Sequence, residues 1–198
     1  MSILKRIPTW ITSPFLFMSL IYVLWFYIVV SLEYLFGSDS AAFASLLYLP
    51  HFVRVVATWF YGYRAFFGLV AGNIFGVLIT TGSLPIESNE MAIIVVGCGS
   101  VVAALWLLDW ARFLKPAEIA QTDVNWRALV FLGFFASLFN AIGSALIQLD
   151  GASSSERLTF MLPILVGDTG SVLIGLILLM FGFRMVRSTM IAKAGAGQ

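Results

Sequence analysis

Long stretches of the chain are apolar and almost free of charge, and their lengths are those of membrane-spanning helices. Uncharged runs cover 7–32, 65–86, 91–108 and 128–149, and each is close to or above the roughly 18 apolar residues that cross a bilayer as a helix. Two further runs, 41–62 and 158–183, contain ionisable residues. They are still apolar enough to cross, because a polar residue inside a bundle can face protein. The pattern predicts an all-α, polytopic membrane bundle of six transmembrane helices.

These six segments occupy most of the chain and leave only short connections between them. We therefore predict a single transmembrane domain over residues 1–190. Residues 191–198 are rich in small side chains and are predicted to form a flexible C-terminal tail.

Two local signals predict where helices begin. Ser13 before Pro14 is typical of an N-cap followed by a proline in the first turn. Ser153 and Glu156 have the spacing of a capping box and predict the start of the sixth helix.

The distribution of Lys and Arg predicts which side of the membrane each connection faces. Basic residues near helix ends are retained on the cytoplasmic side. With a cytoplasmic N terminus and six spans, the residues on that side are Lys5, Arg6, Arg64, Arg112, Lys115, Arg127, Arg184, Arg187 and Lys193. Only Arg157 falls outside, and Arg54 lies within the membrane. Both termini are therefore predicted to be cytoplasmic.

Composition supports a membrane protein and argues against other classes. Hydrophobic residues make up 61% and charged residues 11% of the 198 positions, against about 45–50% and about 25% in soluble domains. A formal net charge of +1 lacks the basic excess that phosphate neutralisation requires, so no nucleic-acid partner is expected. One histidine and one cysteine are too few for a zinc site, and neither a metal nor a cofactor is predicted.

Three ionisable residues fall inside predicted spans, where a lone charge costs at least about 2.5–3.5 kcal/mol. His51 and Arg54 recur at helical spacing with Thr58 and share one face of the second span. Asp168 lies in the sixth span at a depth comparable to that of Arg54. Because the planar, always-charged fork of arginine suits a carboxylate, we predict that Arg54 and Asp168 pair.

Two interpretations of this predicted pair stay open. It is either a buried structural ion pair that fixes helix register, or a functional centre that acts as a ligand counter-ion or a proton-responsive switch. His51 beside it belongs to the one residue type that ordinarily titrates between pH 5 and 8. A single histidine on an apolar segment is equally typical of a packed polar residue.

Further polar positions extend this candidate centre. A polar stripe runs along the fifth predicted span and consists of Ser137, Asn140, Ser144 and Gln148. In the third span, Asn73 lies among glycines that recur every four residues, namely Gly68, Gly72 and Gly76. This spacing lets two helix backbones approach closely, and we predict internal packing rather than a dimer face. The polar stripe either lines a cavity or supplies hydrogen bonds between helices.

The candidate binding residues are therefore His51, Arg54, Asn73, Asn140 and Asp168. No Ser/His/Asp arrangement, paired carboxylates or metal-ligand spacing occurs at one membrane depth. Acid–base or nucleophilic catalysis needs such groups within hydrogen-bond reach. We therefore expect no enzyme and no catalytic residue.

Short motifs occur in the second, third and sixth predicted spans. The sequence reads Leu-Pro-His-Phe-Val-Arg at 49–54, Tyr-Gly-Tyr-Arg-Ala-Phe-Phe-Gly at 61–68, Gly-Asn at 72–73 and Val-Gly-Asp-Thr-Gly-Ser-Val-Leu at 166–173. These motifs resemble those of the bacterial membrane-associated sensor domains (MASE type) that are fused to histidine kinases and diguanylate cyclases. The resemblance implies a multi-pass sensor in the bacterial inner (cytoplasmic) membrane. Since the chain carries no output domain, it would act through a partner membrane or cytoplasmic protein.

A second family is also similar. The chain's length, its six predicted spans and the Gly-rich helix after Tyr-Gly-Tyr-Arg at 61–64 resemble the substrate-binding subunits of energy-coupling-factor vitamin transporters. That resemblance implies a vitamin site toward the outer side and docking on a separate membrane coupling protein.

The leading hypothesis is a non-enzymatic, sensor-like or accessory module of the lipid bilayer that acts through a partner protein. In it, the Arg54–Asp168 pair organises a polar pocket or switch for a small-molecule ligand. One alternative is the substrate-binding subunit of a vitamin-type uptake transporter. The other is a structural accessory subunit of a larger membrane complex, whose polar residues would be fully consumed by one another.

Overall fold

The architecture is all-helical. This computed structural model describes residues 8–36, 48–82, 86–113 and 125–195, with 32–36 and 186–195 described by their backbone alone. The described residues form six α-helices and one short 3-10 turn, and no β-strand occurs among them. The helices are α1 (Thr9–Phe36), α2 (Leu49–Tyr61), α3 (Ala65–Thr81), α4 (Ser88–Trp110), α5 (Trp126–Gln148) and α6 (Ser154–Gly195), and the 3-10 turn is Gly62–Arg64.

Five helical stretches are long and apolar enough to cross a membrane, and they indicate a multi-pass membrane protein. They are Thr9–Ser31, Leu49–Thr81, Ser88–Trp110, Trp126–Gln148 and Ser154–Met185. The prediction of an all-helical, polytopic membrane protein is confirmed to this extent. Since the second stretch contains both α2 and α3, the number of crossings depends on how these two helices are oriented.

The two helices α2 and α3 are joined as a helical hairpin. Gly62 ends α2 with φ 63°, in the left-handed region that glycine enters without steric cost. At the start of α2, the ring of Tyr48 packs against Trp25 of α1, whereas Phe60 near its end shares a groove with Pro14. Helix α2 is therefore antiparallel to α1. Residues 41–47, the first part of the predicted second span, lie outside the described residues.

A row of glycines packs α3 alongside α1. In order along α3, Gly68 lies against Ile11, Gly72 against Phe15 and Gly76 against Tyr22. Both series of residue numbers rise together, so α1 and α3 are parallel. A Cβ atom at Gly72 would lie 2.6 Å from the carbonyl oxygen of Phe15, closer than Cβ atoms come in folded proteins. The prediction that these glycines serve internal packing is confirmed.

The helices α2, α4, α5 and α6 enclose an apolar core. Its buried members are Val55, Trp59, Val101, Ala104, Leu108, Ala128, Leu129, Leu132, Ala136, Val172 and Leu176. Two glycines again bring helices together, since Gly133 of α5 packs against Val172 and Gly175 of α6 packs against Phe52. Contacts along the helices make α6 parallel to α2 and antiparallel to α5. Polar side chains meet beyond one end of this core.

The start of α6 carries the predicted capping box. The backbone N–H of Ser153 donates to Oε2 of Glu156 at 2.8 Å, and the N–H of Glu156 donates to Oγ of Ser153 at 3.4 Å. These reciprocal bonds satisfy donors that the first turn of a helix leaves unpaired. The prediction is confirmed, with the helix beginning at Ser154.

Two other predicted boundaries differ from the structure. The N-cap predicted at Ser13 is wrong, because α1 begins at Thr9 and runs through Pro14; membrane helices tolerate such a proline when neighbours satisfy the freed backbone groups. Helix α6 continues to Gly195 and so includes 191–195, which the sequence assigns to a flexible tail. Of the other positions named in the predictions, 196–198, Lys5, Arg6 and Lys115 lie outside the described residues.

Candidate functional site

A cavity of about 330 Å³ opens between the helices, and because charged and amide side chains share its walls with apolar ones we call it the polar cavity. Five of the six helices and the residue before α2 supply its walls: Trp25, Tyr48, Arg54, Ile93, Asn140, Ser144, Gln148, Ile164 and Asp168. Arg54, Asn140 and Asp168 are each more than nine-tenths buried and form its deep end. Gln148 is exposed in the last turn of α5 and marks its mouth. The structure thus brings three of the five candidate binding residues to one cavity.

Asp168 is held by the neighbouring helices through one of its two oxygens. Its Oδ2 accepts a hydrogen bond from Nδ2 of Asn140 at 2.6 Å and lies 3.4 Å from Nδ1 of His51. Its Oδ1 receives no hydrogen bond from any described residue. A carboxylate can accept at both oxygens, so Asp168 keeps acceptor capacity for a further group.

His51 lies behind Asp168 and has no exposed surface. Its Nε2 is 3.3 Å from Oγ of Ser137, and that hydroxyl lies 2.8 Å from the carbonyl oxygen of Gly133. A hydroxyl has only one proton to donate, so Ser137 donates either to Gly133 or to His51, and the tautomer of His51 decides which. Its Nδ1 faces Asp168 without hydrogen-bond geometry. His51 therefore packs behind the carboxylate, outside the residues that line the cavity.

Arg54 is seated against α4. A Cβ atom at Gly97 would lie 2.5 Å from Nη1 of the guanidinium, so a larger residue there would require the cation to shift. Nη2 donates to the hydroxyl of Tyr48 at 3.1 Å, and the guanidinium carbon lies 5.1 Å from the centre of that ring, within the range of a cation–π contact. The buried Nε has no hydrogen-bond partner among the described residues.

The predicted pairing of Arg54 with Asp168 is wrong as a direct contact. Within the described part of the chain, the basic side chain beside Asp168 is His51, which is an ion-pair partner only when it is protonated, and Arg54 has no ion pair. The physical reason is that the guanidinium occupies the space beside Gly97 and donates a hydrogen bond to Tyr48, which holds it at one wall of the cavity. The hydrogen bond from Asn140 holds the carboxylate at another wall, so the two charges line the same cavity without contacting each other.

Asn73 is the candidate residue that the structure keeps out of the cavity wall. It is 1% exposed and lies beside the Tyr48 hydroxyl and the Cys98 thiol. Its Oδ1 has no hydrogen-bond partner in the described structure. Asn73 is therefore placed to support Tyr48 from behind rather than to contact a ligand.

Sequence reasoning missed three contributors to the site. Tyr48 precedes His51 and Arg54 at spacings of three and six residues, so the helical period that united those two could have included it. Trp25 and Gly97 carried no such signal, because an aromatic residue or a glycine in an apolar span is ordinary in membrane helices. Gly97 falls in the middle of α4, where its role follows only from the position of the arginine.

The arrangement provides opposite charges and hydrogen-bonding groups in a confined space. In the described ranges, no group of three His, Cys, Asp or Glu side chains could hold a metal ion. No protein-family model matches the chain, and no curated protein or solved structure is significantly similar to it. The geometry of the cavity is therefore what supports a function.

Proposed function

We propose that this chain is a non-enzymatic membrane module that binds a small molecule in the polar cavity and acts, sensor-like, through a partner protein. One observation carries the proposal: Arg54 and Asp168 are buried, oppositely charged and line the same cavity without contacting each other. Burying a charged group whose hydrogen-bonding capacity is only partly satisfied is costly. A ligand that contacts both residues relieves that cost.

The cavity argues against a purely structural accessory subunit. In such a subunit the polar groups would satisfy one another, yet Nε of Arg54 and Oδ1 of Asp168 have no partner in the described structure. A volume of about 330 Å³ is at the lower end of the range for small-molecule pockets, about 300–1,000 Å³. The pocket therefore suits a compact ligand.

A substrate-binding subunit of an uptake transporter is the second candidate. The position of the cavity favours it: Gln148 at the end of α5 and Ile93 near the start of α4 both contribute walls. In the proposed topology this is the outer end of the bundle, from which an imported substrate arrives.

For the topology, we propose six crossings with both termini in the cytoplasm of a bacterium. The antiparallel order of α1 and α2, the parallel order of α1 and α3, and the hairpin at Gly62 support separate crossings for α2 and α3. Alternation through α5 and α6 continues the same order. Basic residues then collect at the inner ends.

Cysteine labelling in intact cells tests this topology. A membrane-impermeant maleimide should label cysteines introduced at Glu87 and Glu156 before the cells are broken. It should label cysteines at Arg112 and Arg127 only afterwards. Labelling of all four positions from outside, or of the reverse pair, would contradict the proposed orientation.

Native mass spectrometry tests ligand binding. Wild-type protein released gently from membranes should carry a small-molecule adduct, and the Arg54→Gln variant should lose it. Arg64→Gln is the matched control, because Arg64 is exposed at the hairpin turn. Repeated absence of any adduct on wild-type protein would count against the proposal.

Reagent accessibility provides a second test that needs no ligand. In a Cys98→Ala background, Ser144→Cys in the cavity wall should react with a small methanethiosulfonate. Ser137→Cys should stay unmodified, because Ser137 is fully buried against His51. Equal protection of the two cysteines would mean that the cavity does not admit small molecules.

A further inference from the structure

We infer that the ligand is a small zwitterion of the α-amino-acid type with an apolar side chain. The inference rests on the proposed function and names its ligand class. The carboxylate of the ligand would contact Arg54, its ammonium group would contact Asp168, and its side chain would lie among the aromatic and aliphatic walls.

The separation of the two charges is the first step. Opposite charges in a low-dielectric interior attract strongly, yet Arg54 and Asp168 form no ion pair with each other in the described structure. Each is held back by other contacts, Arg54 by the Gly97 seat and Tyr48, and Asp168 by Asn140. The separation between them is therefore maintained by the fold, and we expect a molecule that carries both charges to bridge it.

The unused hydrogen-bonding capacity is the second step. Nε of Arg54 is a donor with no partner among the described residues, and an arginine fork is suited to a carboxylate. Oδ1 of Asp168 is an acceptor with no described donor. A donor set on one wall and an acceptor on another call for a ligand with an anion at one end and a cation at the other.

Charge balance excludes the simpler ligands. Arg54 and Asp168 together carry no net charge, and the neighbouring titratable groups on the packed helices are His51, Tyr22, Tyr48 and Cys98. A simple carboxylate would contact Arg54 and leave Oδ1 of Asp168 without a donor, and a simple amine would contact Asp168 and leave Arg54 without an anion. A buried charge without a partner is the costly outcome in both cases. Only the zwitterion matches both walls at once.

The remaining walls define the body of the ligand. The rings of Trp25 and Tyr48 meet edge to face with centroids 4.8 Å apart, and Ile93 and Ile164 add aliphatic surface. An apolar side chain gains from burial against these groups at about 25 cal/mol per Å². A compact amino acid with an aromatic or branched side chain suits the cavity.

Isothermal titration calorimetry of the purified protein in detergent tests the inference. The probes are two matched sets: phenylalanine with 2-phenylethylamine and 3-phenylpropanoate, and leucine with isoamylamine and isocaproate. We expect at least one amino acid to bind at least tenfold more tightly than both of its single-charge analogues. Equal or tighter binding of a carboxylate or an amine would overturn the inference while leaving a ligand-binding cavity.

Variants of the two charged residues test which end of the ligand each residue contacts. Asp168→Asn should abolish the advantage of the amino acid over its carboxylate analogue, and Arg54→Gln should abolish the advantage over the amine. The exposed residues Asp109 and Arg64 offer matched controls, and Asp109→Asn and Arg64→Gln should bind like wild type. Unaltered preference in both cavity variants would overturn the inference.

Protection from labelling separates the two levels of the proposal. Phenylalanine or leucine should slow modification of Ser144→Cys, whereas the single-charge analogues should not. If Ser144→Cys reacts and no probe protects it or binds, the zwitterion inference fails and the cavity remains accessible. If Ser144→Cys is unreactive and nothing binds, the proposed function fails as well.

Discussion

Two regions of this bundle use close contact between helices in opposite ways. Where α3 lies along α1, glycines bring backbone against backbone, so that Gly72 leaves no space beside the Phe15 carbonyl. Where α2 meets α4, Gly97 also removes a side chain, but the space is taken by the guanidinium of Arg54. Beside that guanidinium a cavity remains open.

The difference between the two regions distinguishes a contact that only packs helices together from one that leaves room for a ligand. The contact between α1 and α3 brings the two helices together at three glycines, and it serves packing. At the polar centre, Arg54 and Asp168 keep unsatisfied hydrogen-bonding capacity after all described contacts are made. Since buried polar groups in native proteins are nearly always paired, a pair of incompletely satisfied charges on one cavity points to an external partner.

The largest expected loss of stability comes from a substitution that disrupts the contact between α1 and α3. Gly72→Leu should destabilise the protein by more than about 3 kcal/mol, because overpacking commonly costs about 1–3 kcal/mol and here the side chain meets backbone. Thermal unfolding in detergent and size-exclusion chromatography measure the loss. Gly182→Leu is the control, because a Cβ there meets nothing within 4 Å. Equal stability of the two variants would contradict the close contact of α1 and α3.

A smaller effect is expected at the polar centre. Asp168→Asn should destabilise the protein by about 1.5–3 kcal/mol, the range for a hydrogen bond to a charged group, because Asn140 loses its anionic acceptor. The shift in thermal unfolding should far exceed that of Asp109→Asn at an exposed position. If both variants unfold like wild type, the carboxylate does not organise this region.

The contact between Ser137 and His51 behind the cavity should contribute less to stability than Asp168 does. Ser137→Ala should cost about 1 kcal/mol more than Ser100→Ala, the typical net value of one hydrogen bond. Both serines donate to a carbonyl within their own helix, but only Ser137 also contacts His51. Unfolding measurements on the two variants isolate the contact between helices. Equal losses would mean that His51 gains nothing from Ser137.

The smallest expected loss of stability is at the start of α6, outside both regions, where a helix cap contributes only local hydrogen bonds. Ser153→Ala should cost about 0.5–1 kcal/mol, as expected for loss of a helix N-cap. Ser155→Ala, a neighbouring exposed serine, should cost less. Differential thermal unfolding of the two variants checks this, and an equal or larger loss for Ser155→Ala would contradict the capping role.

Helical periodicity was sufficient to predict part of this picture. The spacing of His51, Arg54 and Thr58 predicts one buried face, and all three are at most 3% exposed in the structure. The capping box at Ser153 could also be predicted, because Ser153 and Glu156 lie within one helical turn of each other. Patterns confined to a single helix are the ones that a sequence displays.

Contacts between helices were harder to predict. Matching membrane depth and opposite charge favoured a bond between Arg54 and Asp168, but depth does not determine how each helix is rotated. Rotation is set by packing, as at Gly97 and Gly175, which let a guanidinium and the Phe52 ring approach their helices. Such a contact involves residues far apart in the chain, and no local pattern marks it.

The seat at Gly97 couples two positions of the chain. A methyl group there would fall 2.5 Å from Nη1 of Arg54, so a larger residue at 97 requires the guanidinium to leave its present position. Any descendant of this chain with alanine or a larger residue at 97 should therefore carry either a displaced arginine or a shorter side chain at 54. In both cases the positive end of the cavity would change its position or be lost.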